Sequence, residues 1–201
     1  LEMASLGAKV LHSRCVEIAK KYGVELLVCS SLNRNSGTMV REKTKMEKML
    51  ISGVAADKNV AKIRVAGLGN DPESTFRLLN LLDRNNLNID VMIQSLGKDG
   101  TKSVSFTVAK PDMLRTIDVL NDNKDLLGIK KLDYDENVAK VSVIGAGVRS
   151  HSGVAAKMFG ALANAGINTE MVTTSEIRIT ALIDEAYADQ AMRAIHETFL
   201  E

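Results

Sequence analysis

Apolar and polar positions repeat along the chain from residue 60 onward. Each copy opens with an apolar segment and a Gly-x-Gly turn, at residues 62–69 (KIRVAGLG) and 140–147 (KVSVIGAG). A helix-periodic stretch, two β-rich runs and a second helix-periodic stretch follow in both copies. The offset is 78 residues at the first glycines and 80 at Asn88 and Asn168, so the second copy has two additional residues near its glycine turn. The period indicates a duplicated βαββα unit.

The same elements are predicted at equivalent places in both copies. They are helices 75–86 and 112–123 with strands 91–94, 103–109 and 129–134, then helices 153–165 and 185–200 with strands 171–174 and 177–183. The second copy reaches Glu201 without a fourth strand. We predict that the upstream strand at 49–56 completes it, which makes that module discontinuous in sequence.

The predicted fold class is therefore α+β, with tandem ferredoxin-like βαββαβ modules. Their sheets are antiparallel and their helices lie on one face, which leaves the other face and the edge strands free to pair. Residues 60–135 form the first module, here called the first repeat. Residues 136–201 form the second repeat. Upstream, the pattern predicts a helix at 5–22, a strand at 25–30, a turn at 33–37 and a charged linker at 41–48.

Composition and charge exclude several classes of function. The formal net charge is +1, aromatic residues make up 3% and no basic stripe is present, which argues against a nucleic-acid partner. No apolar run is long enough to span a membrane. Cys15 and Cys29 lack metal-ligand spacing, and we interpret them as reduced thiols of a cytoplasmic protein. His12, His151 and His196 are scattered without partners at metal or triad spacing, so we predict no metal site and no catalytic residue.

Two segments carry a resemblance to a known family. Residues 2–31 (EMASLGAKVLHSRCVEIAKKYGVELLVCSS), followed by NSGT, resemble the end of an aspartate kinase catalytic domain. Residues 141–182 (VSVIGAGVRSHSGVAAKMFGALANAGINTEMVTTSEIRITAL) are similar to the second ACT module of these kinases. The resemblance implies that residues 1–44 are the C-terminal end of the amino-acid kinase domain with its linker. It also implies that the two repeats are ACT modules.

The same resemblance implies a regulatory function. In this family the ACT modules bind L-lysine, L-threonine or both. They thereby inhibit the ATP-dependent phosphorylation of L-aspartate to 4-phospho-L-aspartate, in lysine, threonine and methionine biosynthesis. The kinase lobe that binds ATP and Mg is expected to lie outside this chain. We therefore expect the chain to be inactive alone, to need no cofactor, to form a homodimer through its ACT modules and to act on a kinase domain or catalytic subunit.

Effector residues are expected around the two glycine turns. A turn that opens a helix presents backbone N–H groups to a carboxylate, whereas Asn70 and Asp71 either receive the effector's ammonium or only cap the helix. The resemblance extends the expected set to residues on both repeats. These residues are Asn70, Asp71, Pro72, Thr75, Gln94, His151, Ser152, Gly153, Ala155, Asn168, Thr169, Glu170, Ser175 and Glu176.

The chain departs from the family pattern at Glu73, Ser152 and Thr169, all near the expected pockets. These changes leave the identity of the effector open. They also keep a second interpretation, a stand-alone ACT protein that assembles with a partner and binds no ligand. A third, a nicotinamide-dependent enzyme, rests on the partial fingerprint at 145–147, which Ser150 breaks where a third glycine is needed.

Overall fold

The computed structural model describes residues 6, 10–32, 36–41 and 51–200, except for the side chains at 149 and 150. The strands in these ranges are β1 (Leu26–Val28), β2 (Thr38–Val40), β3 (Gly53–Leu68), β4 (Met92–Leu96), β5 (Lys102–Ala109), β6 (Lys131–Ile144), β7 (Met171–Thr174) and β8 (Arg178–Asp184). The helices are α1 (Ser13–Tyr22), α2 (Pro72–Arg84), α3 (Met113–Asp122), α4 (Lys124–Leu127), α5 (Gly147–Ser150), α6 (Val154–Asn164) and α7 (Ala188–Leu200). Short 3₁₀ turns, Lys110–Asp112 and Glu185–Tyr187, lead into α3 and α7.

One antiparallel sheet joins the two repeats, in the order β4-β5-β3-β6-β8-β7. Its central strands β3 and β6 serve both halves. Residues 60–66 of β3 pair with 131–138 of β6 in the first half, and residues 53–57 pair with 140–144 in the second. Each half is thus a four-stranded antiparallel unit, which confirms the predicted α+β fold class. The division into modules at 60–135 and 136–201 stays a prediction.

The two central strands are longer than the sequence pattern indicates. We expected strands at 49–56 and 62–65 to be separate, as well as strands at 129–134 and 140–143, but β3 and β6 each run without a break through both. In the pairing of these two strands, β3 has one additional residue between Asp57 and Val60. β6 has one additional residue between Asp135 and Val138. The same Asp-x-Asn-Val sequence stands at both bulges, and each aspartate accepts the N–H of its asparagine at 2.9 Å. These polar residues therefore bulge within a strand instead of ending it.

Apolar side chains of both repeats lie on one face of the sheet, beneath the long helices. In the pairing of β3 with β6, Asp57 lies opposite Lys140 and Val60 lies opposite Val138. The bulge therefore places the side chains of Asp57 and Val60 on the same face of the sheet, and the residues flanking these two lie on the other face. The cluster under α2 and α3 contains Ile63, Phe106, Leu78, Leu82 and Leu120, and the cluster under α6 and α7 contains Val141, Ile183, Met158, Leu162 and Ile195.

The opposite face of the sheet is partly buried, contrary to the expectation that it stays free. A third cluster there, here called the central cluster, contains Val60, Val91, Val138, Met171 and Leu182. Val60 and Val138 come from equivalent positions of the two repeats, and so do Val91 and Met171. Because both repeats contribute matching residues, this cluster joins them around the shared strands.

Residues 10–12 of the predicted helix at 5–22 are not helical. The described helix α1 starts at Ser13, where the ring nitrogen Nδ1 of His12 accepts the N–H of Arg14 at 3.2 Å. Val10 is exposed before this cap. The helix ends at Gly23, with φ 64°, as its glycine predicts. Most of the predicted linker at 41–48, and residues 33–35 of the predicted turn, lie outside the described residues.

Candidate functional site

The turn between β3 and α2 is fixed by a glycine. Gly67 has φ +90°, and a Cβ there would lie 2.5 Å from the Cβ of Lys130. Only glycine suits both this conformation and this close approach. The chain then turns through the exposed Asn70 into α2. This turn places the first helical N–H groups next to the end of the sheet.

Asp71 caps α2, as one of the two interpretations of this turn expected. One carboxylate oxygen accepts the N–H groups of Glu73 at 3.0 Å and Ser74 at 2.9 Å, which are donors that the helix itself leaves without partners. A hydrogen bond from the Ser74 hydroxyl is the main cause that lowers the pKa of Asp71 below its ordinary value, with help from backbone N–H groups and the Arg77 guanidinium. The Arg77 Nη2 atom lies 3.2 Å from the carboxylate. Asp71 is therefore a fixed negative charge at the start of the helix.

A side-chain hydrogen bond connects α2 to the edge strand β4. The Thr75 hydroxyl donates to the amide oxygen of Gln94 at 2.6 Å. Lys102, on the next strand, donates to the Asp71 carbonyl at 2.8 Å. The structure thus brings together the five expected residues of the first repeat, Asn70, Asp71, Pro72, Thr75 and Gln94. Their role in binding an effector stays a prediction.

The second repeat differs at the equivalent turn. The four-residue helix α5 lies in the region where the second repeat has its two additional residues, before α6 begins. Gly153, with φ 102°, precedes α6 and provides no side-chain cap. At an offset of 80 residues, Ala155 replaces Thr75 and Thr174 replaces Gln94. Because alanine has no hydroxyl group, the link between helix and strand in the first repeat has no counterpart here.

Other expected residues of the second repeat lie on exposed loops. His151, Ser152 and Gly153 precede α6, and Ala155 is on its first turn; all four are exposed. Asn168 and Thr169 are exposed in the loop before β7, and Ser175 and Glu176 form the turn between β7 and β8. The Ser175 hydroxyl donates to the Arg178 carbonyl at 3.5 Å, so it stabilises that turn.

Glu170 has a partner that the sequence analysis missed. Its carboxylate is paired with Lys62 on β3, in the first repeat. The reciprocal pair is Lys140 with Asp90, and Lys140 also lies 3.3 Å from Asp57. The signal was present in the sequence, because the two lysines are at equivalent positions and so are the two acidic residues. Only the shared strands, however, show that the pairs cross between repeats.

The two groups of expected effector residues lie at opposite edges of the sheet. Gln94 is on β4 and the second-repeat group surrounds β7, and these are the two outermost strands. Within the described part of the chain neither strand pairs along its outer edge. One chain therefore does not place the two groups side by side.

Among the described residues, no three His, Cys, Asp or Glu side chains are grouped as a metal ion would require. Cys15 and Cys29 are exposed free thiols. None of the described helices has the length and apolar character that crossing a membrane takes.

Comparison with known proteins gives one consistent result. The ACT domain family matches residues 141–199. An aspartokinase of Pseudomonas aeruginosa is 40% identical over 99% of this chain and 49% of its own length, so the chain spans about half the length of the curated relatives it matches. The ligand-free regulatory subunit of aspartate kinase from Thermus thermophilus is 33% identical, with a TM-score of 0.70 over 75% of this chain and 99% of that one.

A third relative has been solved in two states. E. coli aspartokinase III with aspartate and ADP, its R-state, has a TM-score of 0.84 at 25% identity over 100% of this chain and 45% of that one. In its T-state, with lysine and aspartate, the TM-score is 0.75 at 26% identity over 100% of this chain and 44% of that one. The TM-score is thus higher with the first of these two structures than with the second.

Proposed function

Because this chain belongs to the aspartokinase family and carries its ACT-type regulatory fold, we propose that it is an amino-acid sensor that binds L-lysine, L-threonine or both. The observation that carries the proposal is the grouping of Asp71, Thr75 and Gln94 where α2 meets the edge strand β4. Bound effector would control the phosphorylation of L-aspartate by ATP to 4-phospho-L-aspartate. ATP and Mg would bind to a kinase lobe that is outside this chain, which would be inactive alone in the cytoplasm.

The chemistry of the first-repeat group fits an amino acid. Asp71 keeps its charge because hydrogen bonds and Arg77 lower its pKa, so it offers an anion to the effector's ammonium. The Gln94 side chain offers an amide donor at the same place, since Thr75 already donates to its oxygen. Both groups discriminate in favour of a ligand that carries an ammonium and a carboxylate.

A second copy of the chain would complete the pocket. The second-repeat residues Asn168, Thr169, Ser175 and Glu176 lie at the other edge of the sheet, too far along it to serve the same ligand. A homodimer that joins β4 of one copy to the second repeat of its partner brings the two groups together. An effector bound there stabilises one arrangement of copies over another, which is the difference in affinity that allosteric control requires.

The two E. coli states support a change of arrangement on binding lysine. The TM-score of the present chain is higher with the state that holds aspartate and ADP than with the state that holds lysine and aspartate. We propose that effector binding moves this chain toward the second arrangement. A covalently linked kinase domain or a separate catalytic subunit would respond to that movement.

Titration calorimetry with L-lysine, L-threonine and L-aspartate tests the proposal. We expect heat from lysine or threonine and none from aspartate. Gln94→Ala should weaken binding about tenfold, because it removes a hydrogen bond to a charged ligand, while its circular dichroism spectrum stays that of the wild type. Gln190→Ala is the matched control, since Gln190 lies on α7 in the second repeat and its side chain donates to the carbonyl of Ala165, which follows α6. Equal binding by both variants would count against the assigned site.

One observation favours a second function, assembly without a ligand. The Asp71 carboxylate already occupies the N–H groups of Glu73 and Ser74, so these donors are not available to an effector's carboxylate. If neither amino acid gives heat of binding in the calorimeter while the dimer stays intact, the result would support this alternative.

A further inference from the structure

We propose that Lys62 and Lys140 are positioning residues, each of which holds the edge strand of the other repeat on or beside which effector residues are expected. The proposal rests on the proposed function where it speaks of effector binding, but the contacts themselves do not depend on that function. Lys62 belongs to β3 in the first repeat and pairs with Glu170 in the second. Lys140 belongs to β6 in the second repeat and pairs with Asp90 in the first.

The acidic partners stand immediately before the edge strands. Asp90 leads into β4, which carries Gln94, and Glu170 leads into β7. Each is also fixed through its backbone: the Asp90 N–H donates to the Thr107 carbonyl at 3.1 Å, and the Glu170 N–H donates to the Leu182 carbonyl at 2.8 Å. A shift of either carboxylate therefore moves the start of an edge strand, together with Gln94 on β4 or with the expected effector residues beside β7.

Apolar packing reinforces both links. Val91 and Met171 directly follow the two acidic residues, and both are buried in the central cluster with Val60 and Val138. The side chains of Lys62 and Glu170 are 24% and 34% exposed, and those of Lys140 and Asp90 are 8% and 43% exposed. Such partly buried pairs are screened less by water than surface pairs are. The residues immediately before each edge strand are thus held by a lysine and an apolar contact from the other repeat.

The two lysines differ in the number of carboxylates around them. Lys140 lies between two carboxylates, those of Asp57 and Asp90, whereas the partner that Lys62 shows among the described residues is Glu170. Asp135, the equivalent of Asp57, accepts the N–H of Asn137 in its bulge, as Asp57 accepts that of Asn59. Lys140 is therefore held by a carboxylate of its neighbouring strand as well as by Asp90. This arrangement also gives Glu170 a positioning role; its direct contact with an effector stays a prediction.

Hydrogen exchange measured by mass spectrometry tests the proposal without any effector. Lys62→Met should speed exchange in residues 168–174 of the second repeat roughly fivefold, the effect of losing one partly buried ion pair, and leave residues 88–94 unchanged. Lys140→Met should do the reverse. Lys110→Met is the matched control, because Lys110 also crosses between repeats, to Glu185 at 2.9 Å, but contacts the turns that precede α3 and α7.

A charge exchange keeps the test decisive if Lys140→Met fails to fold. The double variant Lys62→Glu with Glu170→Lys should restore wild-type exchange in residues 168–174, whereas Lys62→Glu alone should not. Unchanged exchange in Lys62→Met, or the same increase in the Lys110→Met control, would overturn the proposal.

Titration with L-lysine and L-threonine adds the functional readout. Where the wild type binds, Lys62→Met should weaken binding by a similar, roughly fivefold factor, and an unchanged affinity would overturn the effector part of the inference. A wild type that binds neither amino acid would instead refute the proposed function, while the exchange data would still decide whether the lysines position the strands.

Discussion

Asp71 serves the fold and the candidate site at the same time. Its carboxylate caps α2 through the N–H groups of Glu73 and Ser74, and it presents a negative charge at the turn where an effector is proposed to bind. The sequence predicted both roles as alternatives, because aspartate is a favoured cap as well as a ligand for ammonium. The structure shows the cap, and a cap does not exclude an additional contact with a bound ammonium group.

The stability that Asp71 provides should depend on pH. Since its pKa is lower in the folded chain than in the unfolded chain, its contribution is present above the unfolded pKa and is lost as the pH falls through the folded one. Asp71→Asn keeps an acceptor at the cap but removes the charge. We expect the wild type to be more stable to urea at pH 6, with the difference shrinking below about pH 4. A difference that stays constant with pH would contradict this assignment.

Local sequence patterns predicted the elements of each repeat but not how the repeats join. Helices α2 and α6 are amphipathic, and strands β5 and β8 are β-rich, so each was recognisable from its own residues. The continuity of β3 and β6 was not, because the polar sequences at 57–59 and 135–137 are typical of turns. The ion pairs of Lys62 and Lys140 depend on strand pairing between distant segments, which no local pattern contains.

The bulge in β3 sets which side chains face the helices. Deleting Lys58 removes the additional residue of the bulge. The side chains of residues 53–57 would then exchange faces of the sheet, and Asp57 would point toward the apolar face. We expect a loss of more than about 3 kcal/mol in the free energy of unfolding, from a buried charge and displaced core residues.

Lys58→Ala is the control for the deletion. It keeps the bulge and loses only the exposed ion pair of Lys58 with Asp189, at 2.9 Å, which should cost less than about 1 kcal/mol. Urea unfolding measures both changes. A deletion variant as stable as the Lys58→Ala variant would show that the bulge does not set the register.

At the scale of the whole molecule, two repeats share one sheet and present their candidate effector residues at its opposite edges. The chain thus carries both groups of candidate effector residues but does not bring them together itself. Association of two copies would do so, which links effector binding to assembly. The shared strands and crossed ion pairs give a physical route by which a change at one edge reaches the other.

Sedimentation equilibrium of the chain, with and without saturating L-lysine or L-threonine, tests this account most directly. An effector that binds between copies must favour the dimer, so we predict that the dimer dissociation constant falls by about tenfold or more with the effective amino acid, and that L-aspartate has no effect. The same dissociation constant with and without an amino acid that demonstrably binds would place the pocket within one copy and contradict the account.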